Sequence, residues 1–244
     1  MATVNETVDS GINPIFLVFS KVKFFESSER LLRTTLAVGS LELGVLGFEQ
    51  YRFVARRSVL GNQLVKRHLE KIFRAMPELL SEYAEISCVT LPVYAKTLSD
   101  GALASMLIEL CAFHPSVPLD KICIEVSADI LYEDIAPLAE QIRQIRTMGV
   151  KVAISEVGDA FCPIFRLSEL AFDYAILDPY ATASLGGENA ERICGSLVQY
   201  LHQMNAKVIA PLSDAANIEG AKAVGVDGCS VGAPEYAEGG AENE

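Results

Sequence analysis

Four acidic residues stand where strands are expected to end, and they are the side chains best able to do chemistry. They come from separate segments of the chain and are Glu49, Glu125, Glu156 and Asp178. In a barrel of alternating strands and helices, the carboxyl ends of the strands meet at one face. Converging carboxylates are the oxygen ligands that divalent metal ions require. The same strand ends carry no lysine or histidine, so a general acid or base is missing.

The elements that position these acids alternate regularly from residue 121 onward. The predicted strands are KICIEVS (121–127), VKVAISEV (150–157), DYAILD (173–178), AKVIAPL (206–212) and DGCSV (227–231). The predicted helices are 133–147, 163–170, 188–204 and 214–223. The strands are almost continuously apolar, which is typical of parallel strands covered on both faces. The alternation predicts a closed (β/α) TIM-type barrel, with a doubly wound open sheet as the alternative.

The first half of the chain is less regular. Residues 14–54 predict strands joined by turns, 60–82 an amphipathic helix, 85–93 a strand, and 99–113 a helix with Ser99 as its N-cap. We expect one domain over residues 14–234. A flexible N-terminal tail (1–13) and an acidic C-terminal tail (235–244) are expected to flank it.

Composition narrows the class of protein. The chain has 244 residues, a formal net charge of −12 and a mean hydropathy of +0.28. This charge argues against nucleic-acid binding and against docking on anionic lipid. The longest apolar run is interrupted by Glu42, so membrane insertion is not expected. Six scattered cysteines without a CxxC pair indicate free thiols in a reducing compartment, so the expected location is the cytoplasm.

The order of these segments resembles the EAL domain, a family of cyclic di-GMP phosphodiesterases with a (β/α) barrel. The resemblance runs from about residue 45 to 234 and is strongest over 121–178. The glutamate of the family's Glu-Ala-Leu motif corresponds to Glu49, that of Glu-x-Thr to Glu125, and a later aspartate to Asp178. The resemblance implies that Glu49, Glu125, Glu156 and Asp178 are remnants of a metal site.

Other motif positions have changed residue type. The family's Asp-Asp pair falls at Ser155-Glu156, and its metal-ligand asparagine falls at Val89, or at Thr90 if the register slips by one. Its lysine falls at Ile176, and its two later glutamates fall at Pro211 and Asp214. Its last glutamine falls in the region of Ser230. Loss of one preorganised group typically costs roughly 10²–10³ in rate. The resemblance therefore implies that the fold is kept while hydrolysis is lost. No catalytic residue, metal or cofactor is expected.

These observations lead to one expected function and two alternatives. We expect a catalytically inactive EAL-like regulator in bacterial signalling that acts through a protein partner or as a homodimer. The basic helix 60–76, the acidic C-terminal half of the chain and the acidic tail are the partner surfaces to consider. The first alternative is a non-hydrolysing cyclic di-GMP receptor in which Arg52 and Arg56 contact phosphates. The second is an enzyme, either a residual phosphodiesterase or a different barrel enzyme that uses Glu125, Glu156 and Asp178.

Overall fold

The computed structural model describes residues 14–40, 42–56, 58–159, 162–183, 185, 187–232 and 235–236. The expected N-terminal tail and residues 237–244 of the expected C-terminal tail lie outside these ranges. The described strands are β1 (Ile15–Phe24), β2 (Arg30–Ser40), β3 (Gly44–Leu46), β4 (Ile86–Pro92), β5 (Ile122–Ser127), β6 (Lys151–Val157), β7 (Tyr174–Leu177), β8 (Lys207–Leu212), β9 (Gly228–Val231) and β10 (Glu235–Tyr236).

Eight of these strands close into a barrel. The order is β1-β9-β8-β7-β6-β5-β4-β2, and pairing of β2 with β1 completes the ring. The pairs from β2–β4 through β8–β9 are parallel, which confirms the predicted closed barrel over the open sheet. The first strand, β1, is antiparallel to both neighbours. The short loop 25–29 leaves no room for the crossover that a parallel pair needs.

Helices cover the outside of the barrel. They are α1 (Phe48–Arg56), α2 (Leu60–Glu82), α3 (Ala95–Ser99), α4 (Ala102–Phe113), α5 (Ile135–Thr147), α6 (Pro179–Ala183), α7 (Glu188–Gln203) and α8 (Ile218–Ala223). Short 3-10 segments lie at Leu119–Lys121, Ala128–Tyr132, Ile164–Glu169 and Ala215–Asn217. No helix in the described ranges combines the length and apolarity needed to cross a bilayer.

Two sequence predictions were wrong in the first half. Residues 48–54, predicted as strand, form helix α1, because the buried Tyr51 and Ala55 recur at helical spacing despite the aromatic, strand-like composition. Ser99 ends α3 instead of capping the next helix, and α4 begins after Gly101, whose φ of +66° breaks the run.

The alternation of side chains along the strands arranges the barrel interior in layers. The middle layer is apolar and includes Leu31, Cys123, Ala153 and Ile209. Two residues later along β2, β5, β6 and β8, towards the carboxyl ends, stand Arg33, Glu125, Ser155 and Pro211. These side chains form the base of the site described next.

Candidate functional site

An open cavity of about 1440 Å³ occupies the mouth of the barrel at the carboxyl ends of its parallel strands. Its walls come from β2, the ends of β5 to β8, and helix α1. Aromatic side chains Phe53 and Tyr180 stand on its rim and are 61% and 86% exposed. Ligand sites of barrel proteins lie at this end.

At the base of the cavity, Arg33 of β2 holds Glu125 of β5 through two hydrogen bonds. Nε donates to Oε2 at 2.9 Å and Nη2 to Oε1 at 2.5 Å. The hydroxyl of Thr90 also donates to Oε2, at 3.4 Å. Burial disfavours the charged guanidinium, yet the adjacent Glu125 carboxylate outweighs this and raises the pKa of Arg33. Glu125 therefore has both oxygens engaged by the protein itself.

Glu156 stands on a distortion of β6. Pairing with β7 shifts register between Ile154 and Val157, and Glu156 has a φ of +60°, a region that non-glycine residues rarely adopt. This bulge brings Ser155 and Glu156 onto the cavity wall together. The hydroxyl of Ser127 and the guanidinium of Arg52 both donate to the carboxylate of Glu156.

Charge around Glu156 favours its ionised form. Burial would raise the pKa of Glu156, but the hydrogen bonds from Ser127 and Arg52 and the charge of Arg56 outweigh burial and lower it. Arg56 also donates to Glu156 from Nη2 at 3.2 Å. The carboxylate is thus held as an anion between two guanidinium groups.

Helix α1 supplies both of these arginines. Arg52 and Arg56 are four residues apart and share one face of the helix. Arg56 Nη1 also lies 2.7 Å from Asp129 Oδ2, in the segment after β5. The two cations therefore tie α1 to the ends of β5 and β6. Each of the two guanidinium groups already holds a carboxylate, and their contact with phosphates stays a prediction.

The remaining predicted acids have local partners. Glu49 lies in the first turn of α1 instead of at a strand end, with its side chain 74% exposed and 2.9 Å from Arg52 Nε. Asp178 lines the cavity, and its Oδ1 accepts the backbone N–H of Tyr180 at 2.7 Å, which caps α6. Asp214 likewise caps a 3-10 turn through Ala216 N–H at 2.7 Å. Glu125, Glu156 and Asp178 share the cavity, but each contacts a different group.

Of the two β4 positions considered for the family's asparagine, Thr90 faces the base of the cavity and Val89 does not. Val89 is fully buried in the core between barrel and helices, while Thr90 contacts Glu125 at the cavity base. Ile176 and Pro211 both line the cavity, and Pro211 pairs with Ser230 in the sheet. In the described part of the chain, no three His, Cys, Asp or Glu side chains converge closely enough to hold a metal ion.

Sequence reasoning missed Arg33 and Asp129. Arg33 is a cation within the largely apolar strand LLRTTLAV (31–38), on the alternation that also places Leu31 inside the barrel. An inward charge in such a strand requires a buried partner, and this signal was available. Asp129 carries no comparable signal, because its position follows from the turn after β5.

Comparison with known proteins finds similarity to EAL domains, both in sequence and in structure. The family model for the EAL domain matches residues 31–229. The PaMucR phosphodiesterase in a c-di-GMP complex is 17% identical with a TM-score of 0.85, covering 97% of each chain. The FimX EAL domain from Pseudomonas aeruginosa bound to c-di-GMP is 16% identical with a TM-score of 0.81, covering 99% of this chain and 98% of that one. An EAL domain protein from Listeria monocytogenes EGD-e is 16% identical with a TM-score of 0.75, covering 96% and 93%.

No curated protein sequence shows significant similarity to this chain. The family match nevertheless spans most of the sequence, and the barrel with its antiparallel first strand aligns with these structures along nearly its whole length. The chain belongs to the EAL domain family.

Proposed function

We propose that this chain is a non-hydrolysing EAL protein that acts as a cytoplasmic regulator in bacterial signalling through contact with a protein partner or a second copy. The observation that supports the loss of hydrolysis is the pairing of charges inside the cavity. Its two central carboxylates, Glu125 and Glu156, are each neutralised by guanidinium groups of the same chain.

The side chains present do not fit the metal ions on which the family's phosphodiester hydrolysis depends. A divalent ion needs several oxygen ligands, whereas Ile176 and Pro211 offer no side-chain oxygen to the cavity. A metal bound to Glu125 would also meet the charge of Arg33. Two unit charges 4 Å apart repel by roughly 4 kcal/mol near a protein surface, and a divalent ion by about twice that.

Partner binding is supported by exposed aromatic side chains in the segments that follow the strands, of which Phe53 and Tyr180 lie on the rim of the cavity. Phe53, Tyr132, Phe165 and Tyr180 come from segments that follow different strands, and each is 61–86% exposed. Aromatic side chains are enriched at protein interfaces, and one such side chain can bury about 150–250 Å². Four of them exposed to this extent offer roughly 600 Å², close to the ~800 Å² per partner of a standard interface.

Co-purification tests the partner half of the proposal. The tagged full chain, recovered from the cells that produce it, should retain a stoichiometric partner or a second copy of itself. Tyr180→Ser together with Phe165→Ser should release it. Ile193→Ser removes another exposed apolar side chain (67%) from helix α7 and should not release the partner. A chain that is monomeric and without a stoichiometric partner in every sample would contradict the proposal.

A cyclic di-GMP receptor is the second candidate, favoured by the open volume of about 1440 Å³ that remains beside the arginines. Two structural relatives, the PaMucR phosphodiesterase and the FimX EAL domain, have been seen in complex with c-di-GMP. Calorimetric titration with cyclic di-GMP, with and without Mg²⁺, separates the candidates. Micromolar binding that tightens in Glu156→Gln, because Arg52 and Arg56 are then released, would identify a receptor. Glu140→Gln, which changes an exposed glutamate, is the matched control. Absence of binding in the unmodified chain and in both variants favours the proposal that the chain acts through a protein partner.

A further inference from the structure

The opposite end of the barrel carries a second charged layer that the proposed function does not use. Two residues before the apolar layer, on the same inward alternation, stand Lys121, Lys151 and Lys207 at the starts of β5, β6 and β8. Glu29 holds the equivalent position before β2. We call the three lysines the basic floor of the barrel.

The basic floor is a converging group. Lys207 Nζ lies 2.9 Å from Glu29 Oε2, an ion pair that joins β8 to the start of β2 across the barrel mouth. Lys121 Nζ donates to the carbonyl of Ile86 at 2.7 Å. Lys151 Nζ donates to the neighbouring carbonyl of Ser87 at 3.4 Å. The two ammonium groups from β5 and β6 therefore meet at the first residues of β4, next to β2.

All three lysines act on the carboxylate of Glu29. Its pKa is lowered first by the hydrogen bond from Lys207, against the effect of burial, and then by the charges of Lys207, Lys151 and Lys121. Three positive charges thus act on one carboxylate in a chain whose net charge is −12. The Glu29 and Lys207 side chains are 46% and 48% exposed, so solvent reaches the pair.

Each of the three lysines has hydrogen-bond donors that the contacts of the described structure do not use. An ammonium group has three donors, and the contacts in the described structure occupy one on each lysine. Phe24 and Tyr174 of the barrel interior lie beneath Lys207 and Lys151, with ring centroids 5.0 and 5.9 Å from the ammonium nitrogens. The aromatic rings cover the side of Lys151 and Lys207 that faces the apolar layer, so their remaining donors can be reached from the solvent side.

We propose that the basic floor binds a small oxyanion, a phosphate or a phosphate monoester, which takes the place of the Glu29 carboxylate among Lys121, Lys151 and Lys207. This site is at the amino-terminal mouth, separated from the arginine-lined cavity by the apolar layer of the barrel. It is independent of whether the chain hydrolyses or binds a nucleotide at the other end.

The test is a titration of the isotope-labelled full chain with sodium phosphate and, separately, with phenyl phosphate, against sodium chloride at matched ionic strength. Saturable amide shifts are expected at residues 29–30, 86–87, 121, 151 and 207, and not at the arginines of the cavity. Glu29→Gln should tighten phosphate binding by about tenfold or more, since it removes a competing unit charge within hydrogen-bond distance. Lys151→Met with Lys207→Met should weaken it by about tenfold or more.

The control is Lys96→Met, because Lys96 is an exposed lysine on α3 and should leave the affinity unchanged. Circular dichroism melting shows which variants fold, and Glu29→Gln tests the site even if the double lysine variant does not fold. Saturation by both anions identifies the phosphate group as the ligand, and saturation by inorganic phosphate alone identifies the free ion. The proposal is overturned if neither anion saturates, if the shifts map to Arg52 and Arg56, or if Glu29→Gln leaves the affinity unchanged.

Discussion

Removing Arg33 should destabilise the fold far more than removing a comparable surface arginine. Arg33→Met would leave the carboxylate of Glu125, whose side chain is 10% exposed, without its bidentate partner. Breaking one side of a buried ion pair costs roughly 3–5 kcal/mol. Because the Arg33 side chain is 27% exposed, water offsets part of this loss. We expect a decrease of about 3 kcal/mol in the free energy of unfolding at pH 7.

The double variant isolates the pair from the loss of one side chain. Arg33→Met with Glu125→Met replaces both charges by apolar groups of similar length, and such replacements are often neutral or stabilising. We expect its stability to lie within about 1 kcal/mol of the unmodified protein. The chain has no tryptophan, so urea unfolding is best followed by circular dichroism.

Arg143 provides the matched control. It forms the same two-bond contact with Glu140, at 2.9 and 2.6 Å, but on the exposed face of α5. Arg143→Met should cost less than about 1 kcal/mol, as exposed pairs do. If Arg33→Met were as mild as Arg143→Met, or if the double variant were less stable than Arg33→Met, the central pair would not be the buried, mutually neutralising contact described above.

Two further predictions concern the elements around the site. His68 of α2 is buried against Thr34, and burial lowers its pKa to about 3. In the unfolded chain the pKa of this histidine is about 6.5, so the unfolded chain binds the proton more readily. The free energy of unfolding therefore falls as the pH drops. Between pH 7 and pH 5 this histidine should lower the free energy of unfolding by about 2 kcal/mol. Urea unfolding of His68→Gln should not show this decrease. If the decrease persists in the variant, it belongs to another group. Gly61→Ala would place a Cβ 2.6 Å from the carbonyl of Ala55 and push α1 away from α2, at a cost of about 1–3 kcal/mol. The helical control Gly195→Ala meets only an ordinary contact at 3.8 Å and should instead gain up to about 1 kcal/mol in a melting experiment; equal effects at the two glycines would rule out the clash.

The sequence predicts the second half of the barrel well, because each element there carries its own signal. Strands such as KICIEVS are continuous apolar runs, and Gly149, with a φ of +96°, ends α5 as its position indicated. Helix α1 was predicted as strand because its aromatic residues favour strands. Tertiary contacts decide for the helix, among them the hydrogen bond from Tyr51 to the Leu36 carbonyl of β2 and the close approach of Ala55 to Gly61 of α2. Local propensity is a weak guide where tertiary contacts choose.

The positions of three of the four acids were predictable, whereas the helical position of Glu49 and the pairing of the acids were not. The strand ends place Glu125, Glu156 and Asp178 at one mouth, as expected from barrel topology. That Arg33 and Arg52 would hold the first two acids depends on contacts 92 and 104 residues apart in the chain. No periodicity encodes contacts of that length. The bulge at Glu156 is equally non-local, because it arises from the register between β6 and β7.

Single-turnover hydrolysis measures whether the chain cleaves cyclic di-GMP at all. The purified full chain, in excess over cyclic di-GMP and with Mg²⁺ or Mn²⁺ supplied, should form no linear dinucleotide above a protein-free sample over hours. An active EAL phosphodiesterase assayed in parallel shows that the conditions support turnover. Metal-dependent product that disappears in Glu125→Gln would contradict the account, because it would mean that Arg33 yields its carboxylate to a metal during catalysis.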